Sequence, residues 1–527
     1  MTQAKIEPKA QITPLTQRLT DTLDADCMIL DESERRFFSQ DLFFEGDLPF
    51  AVIRPRDAQD VVALVKVCAQ NAIGIYPRGG GMSYTDAFQP QGENSVVLDT
   101  SGLDWIGEVS ASRDYVMAGA GCTWATLDAA LAKVGMRARF WGPMSGAIAT
   151  LGGSLSQGSV TFGSGQTGAS ANGVKSFEIV SGAGEVLQTG SDGSHSTQPF
   201  NRHFGPDLTG IFANDAGALG IKTAVTLEIE PRPEKVTGLS FAFDDFAAMA
   251  ALFGEVSRRR LASEYTAMDA DFARQNAGPP DLVNDLKSLW KVGVSAGNPF
   301  AALGRMARVA LGGRGFMDKA HYTAHFVIEG RDAKDIASKV KSLRSLAKGG
   351  HEIVNTVPLM MRADPFPRLP VTHPDGRRMV PVHGIFSPDG MDGFHNEYLA
   401  LKKRYASQMA DCGMTIAEFF AGIAGAGFLY EPVFYWPDTR YEYHARMTPD
   451  YLSGLPEYPE NLSGRELAKT MIADIIALMR KHGATHFQIG RMYPYAETKK
   501  EPVLSFVRSL KRELDPKGIL NPGALGL

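Results

Sequence analysis

The chain has 527 residues, more than one hydrophobic core usually organises, so we expect two or more domains. Hydrophobic residues make up 44% and charged residues 21%, an ordinary composition for a soluble globular protein. The formal net charge of −5 argues against a nucleic-acid partner, which would require a basic face. The four cysteines, Cys27, Cys68, Cys122 and Cys412, lack metal-ligand or redox spacing, so no metal site is predicted.

The sequence also bears on location. Residues 1–19 contain no apolar core of a secretory signal, and no run of about 18 apolar residues could span a bilayer. With scattered cysteines, this pattern predicts a cytoplasmic protein. Residues 300–317 place Arg305, Arg308 and Arg314 among apolar residues without an acid. Such a helix can rest on an anionic membrane, but the pattern favours arginines that face solvent or an acceptor protein.

The first predicted elements alternate between strands and helices. Ala51-Val52-Ile53 is a short apolar run, and the residues behind Asp57 repeat at helical spacing, with Asp57 as the cap. A strand at 73–76 then leads into three consecutive glycines. Further strands are predicted at 96–98, 115–118, 177–180, 186–187 and 224–229, with a helix at 124–134.

Pro231 and Pro233 then interrupt the pattern, and we predict a domain boundary near residue 235. From 236 to about 475, long helical stretches lie between strands, a pattern that is typical of an α+β domain. The tail contains a predicted strand around 487–489 and a helix at 502–514. The predicted organisation is an extension (1–45), a first domain (46–235), a second domain (236–480) and a returning tail (481–527).

Two glycine-rich stretches predict a ligand. Pro77-Arg78-Gly79-Gly80-Gly81 follows a strand, where the absence of Cβ atoms lets backbone N–H groups approach an anion such as a pyrophosphate. The second stretch, 142–173, contains nine glycines and few large side chains. Because strands of the same domain flank it, contact with a bulky ligand explains it better than a linker does.

The string Gly163-Ser164-Gly165-Gln166-Thr167-Gly168 matches the pattern of nicotinamide-binding folds. That mechanism requires glycines that open an amphipathic helix, whereas small, turn-prone residues follow here. The sequence therefore argues against a Rossmann fold.

Several segments share an order and spacing that is seen elsewhere. They are Pro77–Ser83, Ser95–Asp99, Leu151–Ser154, Phe204–Phe212 with Gly217–Thr223, and Asp515–Gly523. Together they resemble the flavoprotein family of vanillyl-alcohol oxidase and 4-cresol dehydrogenase. The similarity covers the first 230 residues and the last 45 well, and the middle poorly. Each string is weak alone, but their order and spacing make the resemblance specific.

The resemblance implies a two-domain α+β fold, with a PCMH-type FAD-binding domain and a cap domain built on an antiparallel sheet. It implies FAD as the cofactor and hydride transfer from a substrate carbon to flavin N5. The residues it assigns to the cofactor are Pro77, Arg78, Gly79, Gly80, Gly81, Met82, Ser83, Pro143, Leu151, Gly152, Gly153, Ser156, Gly158, Gly217, Gly220, Ile221 and Asn521.

Many members of this family hold the flavin covalently. A histidine just after the first glycines is one link, but Met82 occupies that position here. Another link uses a cap-domain histidine, and Val382-His383-Gly384-Ile385-Phe386-Ser387-Pro388 resembles that segment. His383 is therefore the candidate for an 8α-histidyl bond, and a histidine that only hydrogen-bonds near the ring is the alternative.

The catalytic candidates also come from the resemblance. Tyr84 matches the first tyrosine of a group that stabilises a phenolate, and Arg491 and Tyr493 stand near the second, in swapped order. On a strand, Arg491 and Tyr493 would share one face. Gln166 stands where vanillyl-alcohol oxidase has an acid beside N5, and Gln cannot act as a base. Tyr430, in an aromatic-rich stretch, is predicted to line the cleft, with core packing as the competing explanation.

The sequence thus predicts an FAD-dependent oxidoreductase acting on a para-substituted phenol or an aromatic alcohol. We expect oxygen or an electron-carrier protein to reoxidise the flavin. The resemblance also implies a homo-oligomer, because relatives are often dimers or larger assemblies. Two alternatives remain open on the same fold. One is a D-2-hydroxyacid dehydrogenase, in which Arg491 would pair with the carboxylate, and the other is a non-redox flavin-dependent lyase or synthase.

Overall fold

A computed structural model describes residues 18–110, 112–195, 198–276, 320–354, 356–389, 391–425 and 427–527. The basic stretch 300–317, and its predicted surface role, lie outside these ranges. The described strands are β1 (Met28–Ile29), β2 (Ala51–Ile53), β3 (Gly74–Arg78), β4 (Ser95–Asp99), β5 (Tyr115–Gly119), β6 (Met136–Ala138), β7 (Val174–Val180), β8 (Val186–Gln188), β9 (Ile221–Pro231), β10 (Lys235–Phe243), β11 (Glu264–Asp269), β12 (Tyr322–Gly330), β13 (Gly350–Ile353), β14 (Arg378–Pro381), β15 (Gly384–Phe386), β16 (Thr415–Ile423) and β17 (Gly427–Trp436).

Helices cover the faces of these sheets. The described α-helices are Glu32–Phe38, Ala58–Asn71, Trp124–Ala132, Leu151–Gln157, Ser164–Thr167, Leu208–Ile211, Phe246–Arg259, Ala270–Asn276, Ala333–Leu346, Thr356–Ala363, Met391–Arg404, Ala406–Asp411, Glu442–Met447, Pro449–Leu452, Leu462–Lys481, Tyr495–Thr498 and Glu501–Leu514.

The strands before residue 232 form two small sheets. The first has the order β1-β2-β4-β3, with β2, β4 and β3 parallel. Its strands β2 and β4 are buried at every residue, as parallel strands covered on both faces must be. The helix Ala58–Asn71 covers this sheet, and the Asp57 side chain caps it as predicted, by accepting from the backbone N–H groups of Gln59 and Asp60. The second sheet has the order β5-β9-β7-β8, with β6 also paired to β9.

The strands from Lys235 to Trp436 form one antiparallel sheet of eight strands. Its order is β13-β10-β12-β11-β16-β17-β14, with β15 also paired to β17. Helices Phe246–Arg259 and Met391–Arg404 pack on one face, and buried aromatic residues such as Phe246, Phe420 and Tyr430 fill the space between. The predicted two-domain α+β fold with an antiparallel cap sheet is confirmed.

The end of the chain returns to the first sheet. Leu520 forms a parallel bridge to Ile75, and the Asn521 backbone N–H donates to the Ile75 carbonyl at 2.8 Å. The predicted helix of the tail is present as Glu501–Leu514. The predicted strand around 487–489 is wrong, because the chain bends there and Gln488 and Gly490 adopt positive φ values of 47° and 55°.

A buried ionic cluster joins the two domains. Arg137 on β6 donates to Glu230 on β9 at 2.8 Å and to Glu329 on the cap strand β12 at 2.6 Å. Arg137 and Glu329 are almost fully buried, and Arg362 of the cap also contacts Glu329. A buried ion pair is costly to break, since the remaining charge has lost both its partner and water.

We therefore expect Arg137→Met to lower the free energy of unfolding by about 3 kcal/mol, the lower end for a broken buried pair because Arg362 still contacts Glu329. Urea denaturation followed by tryptophan fluorescence measures the change. The matched control is Arg344→Met, which removes an exposed pair with Glu352 and should cost about 1 kcal/mol or less. Equal losses in both variants would show that the cluster does not hold the domains together.

Among the described residues, no helix is both long and apolar enough to cross a membrane.

Candidate active site

A cavity lies between the first domain and the cap sheet. Its first wall consists of residues of the segments 77–84, 143–145, 149–161 and 216–222. Its second wall consists of Thr266, Leu369, Pro370, Val371, Met379, Pro381, Phe419, Ala421, Leu429, Glu431, Phe487 and Gln488. Both predicted glycine stretches therefore contribute to one cavity.

The first glycine loop packs so tightly that side chains are excluded. A Cβ atom on Gly79 would lie 2.2 Å from the Thr150 hydroxyl, and one on Gly80 would lie 2.1 Å from the Ile148 carbonyl oxygen. Gly81 has a φ of 71°, and its Cβ would meet the Arg78 guanidinium. Because only glycine fits, the backbone of this loop can approach a ligand directly.

Arg78 supplies a cation at the same loop. Its side chain is buried, with the guanidinium over the rings of Phe37, Phe38 and Phe88 at 4.7, 4.5 and 5.3 Å. Its Nε and Nη2 atoms have no hydrogen-bond partner among the described residues, and burial lowers the pKa of the group. Buried donors of this kind call for a partner, and the phosphates of a dinucleotide are suitable acceptors.

Most of the residues assigned to the cofactor line the cavity. These are Pro77, Arg78, Gly79, Gly80, Gly81, Met82, Ser83, Pro143, Gly152, Gly153, Ser156, Gly217, Gly220 and Ile221.

Three assigned residues lie behind the wall and not in it. Leu151 points into the core of the first domain, and Gly158 ends a helix with a φ of 77°. The Asn521 side chain donates to the carbonyls of Ala87 and Ala216 at 2.8 and 2.6 Å. It thereby connects the end of the chain to two loops of the first domain.

His383 does not reach the cavity. It is fully buried, and its Nε2 donates to the Phe487 carbonyl at 2.6 Å. A carbonyl only accepts, so Nε2 carries the proton and Nδ1 accepts, at 3.2 Å from the Tyr493 hydroxyl. Burial lowers the pKa of this imidazole to about 3, so the ring is neutral. Since both nitrogens are engaged within the protein, the structure does not support the predicted bond to flavin.

We therefore expect the flavin to be held non-covalently. Acid precipitation of the purified protein should leave the yellow colour in the supernatant, for the wild type and for His383→Ala alike. Flavin that stays with the wild-type pellet and is released from the His383→Ala pellet would restore the covalent link.

The residues predicted to stabilise a phenolate do not lie together in the structure. Tyr84 lines the cavity. Arg491, in the bend, donates to the carbonyls of Pro522 and Asp86 at 2.8 Å and to the Asn521 side chain, away from the cavity. Tyr493 turns to His383. The two residues share no strand face, because the segment is not a strand.

Two further catalytic candidates also lie outside the cavity. Tyr430 on β17 faces the helices of the cap core, where its hydroxyl bonds to His395 Nδ1 at 2.9 Å. Core packing therefore explains the aromatic stretch. Gln166 lies on the four-residue helix Ser164–Thr167 and is not part of either wall, and its carbonyl accepts from Arg260 at 2.7 Å. That helix is too short for the rejected dinucleotide motif, in agreement with the sequence.

Glu431, the neighbour of Tyr430, lines the cavity, although the sequence did not single it out. Alternation along β17 turns Leu429 and Glu431 to the cavity when Tyr430 faces the core. The Tyr84 hydroxyl donates to Glu431 Oε2 at 3.2 Å, and burial raises the pKa of this carboxyl to about 7. An available signal was that Glu431 is the one charged residue in the strand sequence GFLYEPVFYW.

The rest of the cap wall is mainly apolar. Phe419, Phe487, Leu429, Met379 and Val371 are the larger side chains on this wall. None of the described residues of the cap wall carries a positive charge. A carboxyl with a pKa near 7 in an apolar cleft is suited to proton transfer at neutral pH.

Two family models match the chain. Residues 49–190 match the FAD binding domain, and residues 484–525 match the C-terminal domain of FAD linked oxidases. The cavity fits this cofactor in its glycine loops and its unpaired Arg78. The protein thus contains an FAD-binding domain, and its cofactor is FAD.

Curated relatives are similar to less than half of the chain. The glycolate oxidase subunit GlcD of Bacillus subtilis is 26% identical over 216 residues, 41% of this chain and 44% of the relative. The D-lactate dehydrogenase of Archaeoglobus fulgidus is 26% identical over 213 residues, 40% of this chain and 46% of the relative. The matched segments span less than half the length of these relatives.

A solved structure resembles the whole chain. The p-cresol methylhydroxylase with substrate bound superposes with a TM-score of 0.72 over 97% of this chain and 96% of that chain, at 14% identity. At this identity the likeness concerns the fold alone.

Proposed function

We propose that the protein is an FAD-linked oxidoreductase that oxidises an alcohol on an aromatic compound, with Glu431 as the proton acceptor. The observation that carries the proposal is the hydrogen bond between Tyr84 and Glu431 beside a mainly apolar cap wall. FAD, when bound, supplies the hydride acceptor of the reaction. The side chains of the protein bind and orient the substrate and accept its proton.

Glu431 would take the proton of the substrate hydroxyl as the C–H bond breaks. The carboxyl has one oxygen, Oε2, engaged by Tyr84, so the other can accept from substrate. An ionised carboxylate is required, and burial places its pKa near 7. Positioned acid–base groups of this kind contribute typically about 10²–10⁴ in rate.

The shape of the wall favours an aromatic group. Phe419, Phe487 and Tyr84 present rings to the cavity, and such rings pack against an aromatic substrate in stacked or edge-on geometry. A phenolate is less suited than a neutral alcohol, since Arg491 and Tyr493 face elsewhere and Glu431 would repel a negative oxygen.

A 2-hydroxy acid is the second candidate, because the glycolate oxidase subunit and the D-lactate dehydrogenase are among the relatives. Recognition of a carboxylate calls for a cation, best an arginine. The described residues of the cap wall offer none, and Arg491 is bonded to the C-terminal segment. This candidate is therefore the weaker one.

Anaerobic stopped-flow mixing tests the proposal. Bleaching of the flavin absorbance near 450 nm by vanillyl alcohol, with none by D-lactate or glycolate, is the expected result. Bleaching by D-lactate or glycolate alone would favour the second candidate. No bleaching by any of the three would favour the non-redox lyase or synthase and contradict both oxidoreductase candidates.

A further inference from the structure

We infer that Tyr443 is a positioning residue for the first glycine loop, an inference that rests on FAD as the cofactor and not on the proposed substrate. Its hydroxyl holds the Gly81 carbonyl behind the cavity wall, so that the loop turns backbone N–H groups toward the phosphates of FAD. Tyr443 lies on helix Glu442–Met447, outside the two segments that match the family models.

Tyr443 reaches the glycine loop from behind. It is fully buried, and its hydroxyl donates to the Gly81 carbonyl at 2.9 Å. Burial raises the pKa of this phenol, so the hydroxyl keeps the proton that it donates. Tyr443 belongs to neither wall of the cavity, whereas Gly81 lines it. The Gly81 carbonyl is therefore turned away from the cavity.

The direction of this carbonyl fixes the direction of the next backbone N–H. A planar trans peptide directs its C=O and its N–H to opposite sides. With the Gly81 carbonyl held by Tyr443, the N–H of Met82 points to the other side, where Met82 lines the cavity. Among the described residues, the backbone N–H groups of Gly80, Gly81, Met82 and Ser83 have no hydrogen-bond partner. Free N–H groups in a turn form a concave site for an anion.

The hydroxyl is needed because glycine leaves this peptide free to turn. Gly81 has a φ of 71°, and a residue without a Cβ adopts positive and negative φ values about equally well. Without the hydroxyl, the buried Gly81 carbonyl would lack a partner. A peptide that turned this carbonyl to the cavity would remove one N–H donor and direct a partial negative charge at the phosphates.

The N-terminal extension holds Tyr443 in place. The Tyr443 backbone N–H donates to the Gln40 side-chain oxygen at 3.0 Å, and its ring stacks on Phe37 with the centroids 6.3 Å apart. The Phe37 ring in turn lies 4.7 Å from the Arg78 guanidinium, which packs beside Gly81. These contacts fix the position of the ring and therefore that of its hydroxyl at the loop.

Tyr443→Phe removes the hydroxyl and keeps the ring on Phe37. FAD should leave the diluted holoenzyme about 3- to 10-fold faster than it leaves the wild type, the factor that corresponds to the loss of one hydrogen bond. Flavin fluorescence follows the release. The matched control is Tyr398→Phe, which removes an equally buried hydroxyl that donates to Glu418 in the cap core. Its FAD release should stay at the wild-type rate.

Competition by ADP separates an effect on the phosphate site from a general loosening of the cap. ADP carries two phosphates but no flavin ring, so its inhibition constant in FAD titrations should rise by a similar factor in Tyr443→Phe and stay unchanged in Tyr398→Phe. Release at the wild-type rate from Tyr443→Phe, or equally fast release from both variants, would overturn the role of the hydroxyl. Faster release with unchanged competition by ADP, or no competition by ADP in the wild type, would overturn its action through the phosphate site.

Discussion

Glu431→Gln is expected to slow flavin reduction by vanillyl alcohol about 10²–10⁴-fold at pH 8, the range typical of a lost general base. The amide keeps the size of the side chain but cannot accept the substrate proton. FAD content and the visible spectrum should stay close to the wild type, since Glu431 lies on the cap wall and the cofactor loops on the other. Single-turnover mixing under anaerobic conditions gives the rate constant.

The adjacent residue provides the control. Tyr430→Phe removes a hydroxyl that bonds to His395 within the cap core. Losing such a bond costs about 1 kcal/mol of stability and should leave the reduction rate within about threefold of the wild type. If Tyr430→Phe slowed flavin reduction as much as Glu431→Gln does, the assignment of the two faces of β17 would be wrong.

Gly80→Ala is expected to abolish useful FAD binding. The new Cβ would lie 2.1 Å from a backbone carbonyl oxygen, that of Ile148, which cannot move without shifting the second loop. Both glycine loops would then leave their places around the dinucleotide. We expect the Kd for FAD to rise by about 100-fold or more, roughly 2.8 kcal/mol. Titration of the apoprotein with FAD, followed by flavin fluorescence, measures it.

Gly173→Ala is the matched control inside the second glycine stretch. The nearest atom to its Cβ, the Phe140 nitrogen, is 3.8 Å away, an ordinary contact. FAD affinity should therefore stay near the wild-type value. If both alanines weakened FAD binding equally, loop flexibility would explain the glycines better than close packing.

The glycine-rich wall of the cavity could be predicted because its signal is local. Positions with no room for a Cβ atom, such as Gly79 and Gly80, must be glycine, and glycine can be recognised directly in the sequence. Most of the residues assigned to FAD by the resemblance accordingly line the cavity. Of the exceptions, Leu151, Gly158 and Asn521 support the loops from behind, and His383 is buried against Phe487. These distinctions depend on tertiary contacts.

The substrate half could not be predicted in the same way. On β17 the choice between Tyr430 and Glu431 depends on which strand face meets the helices, and the sequence indicates this only through Glu431, the one charged residue of the strand. Arg491 and Tyr493 were placed on a strand, but Gln488 and Gly490 turn the chain in a bend held by Thr85. That bend is fixed by residues some 400 positions away in the sequence.

The pH dependence of flavin reduction by vanillyl alcohol tests the role of Glu431 most directly. A base with a raised pKa is protonated and inactive below that pKa, so the limiting rate constant should rise with pH through about 7 and level off above it. The rise should be absent from the low residual rate of Glu431→Gln. A wild-type rate that is flat from pH 5 to pH 9, or a rise that persists in Glu431→Gln, would contradict the assignment.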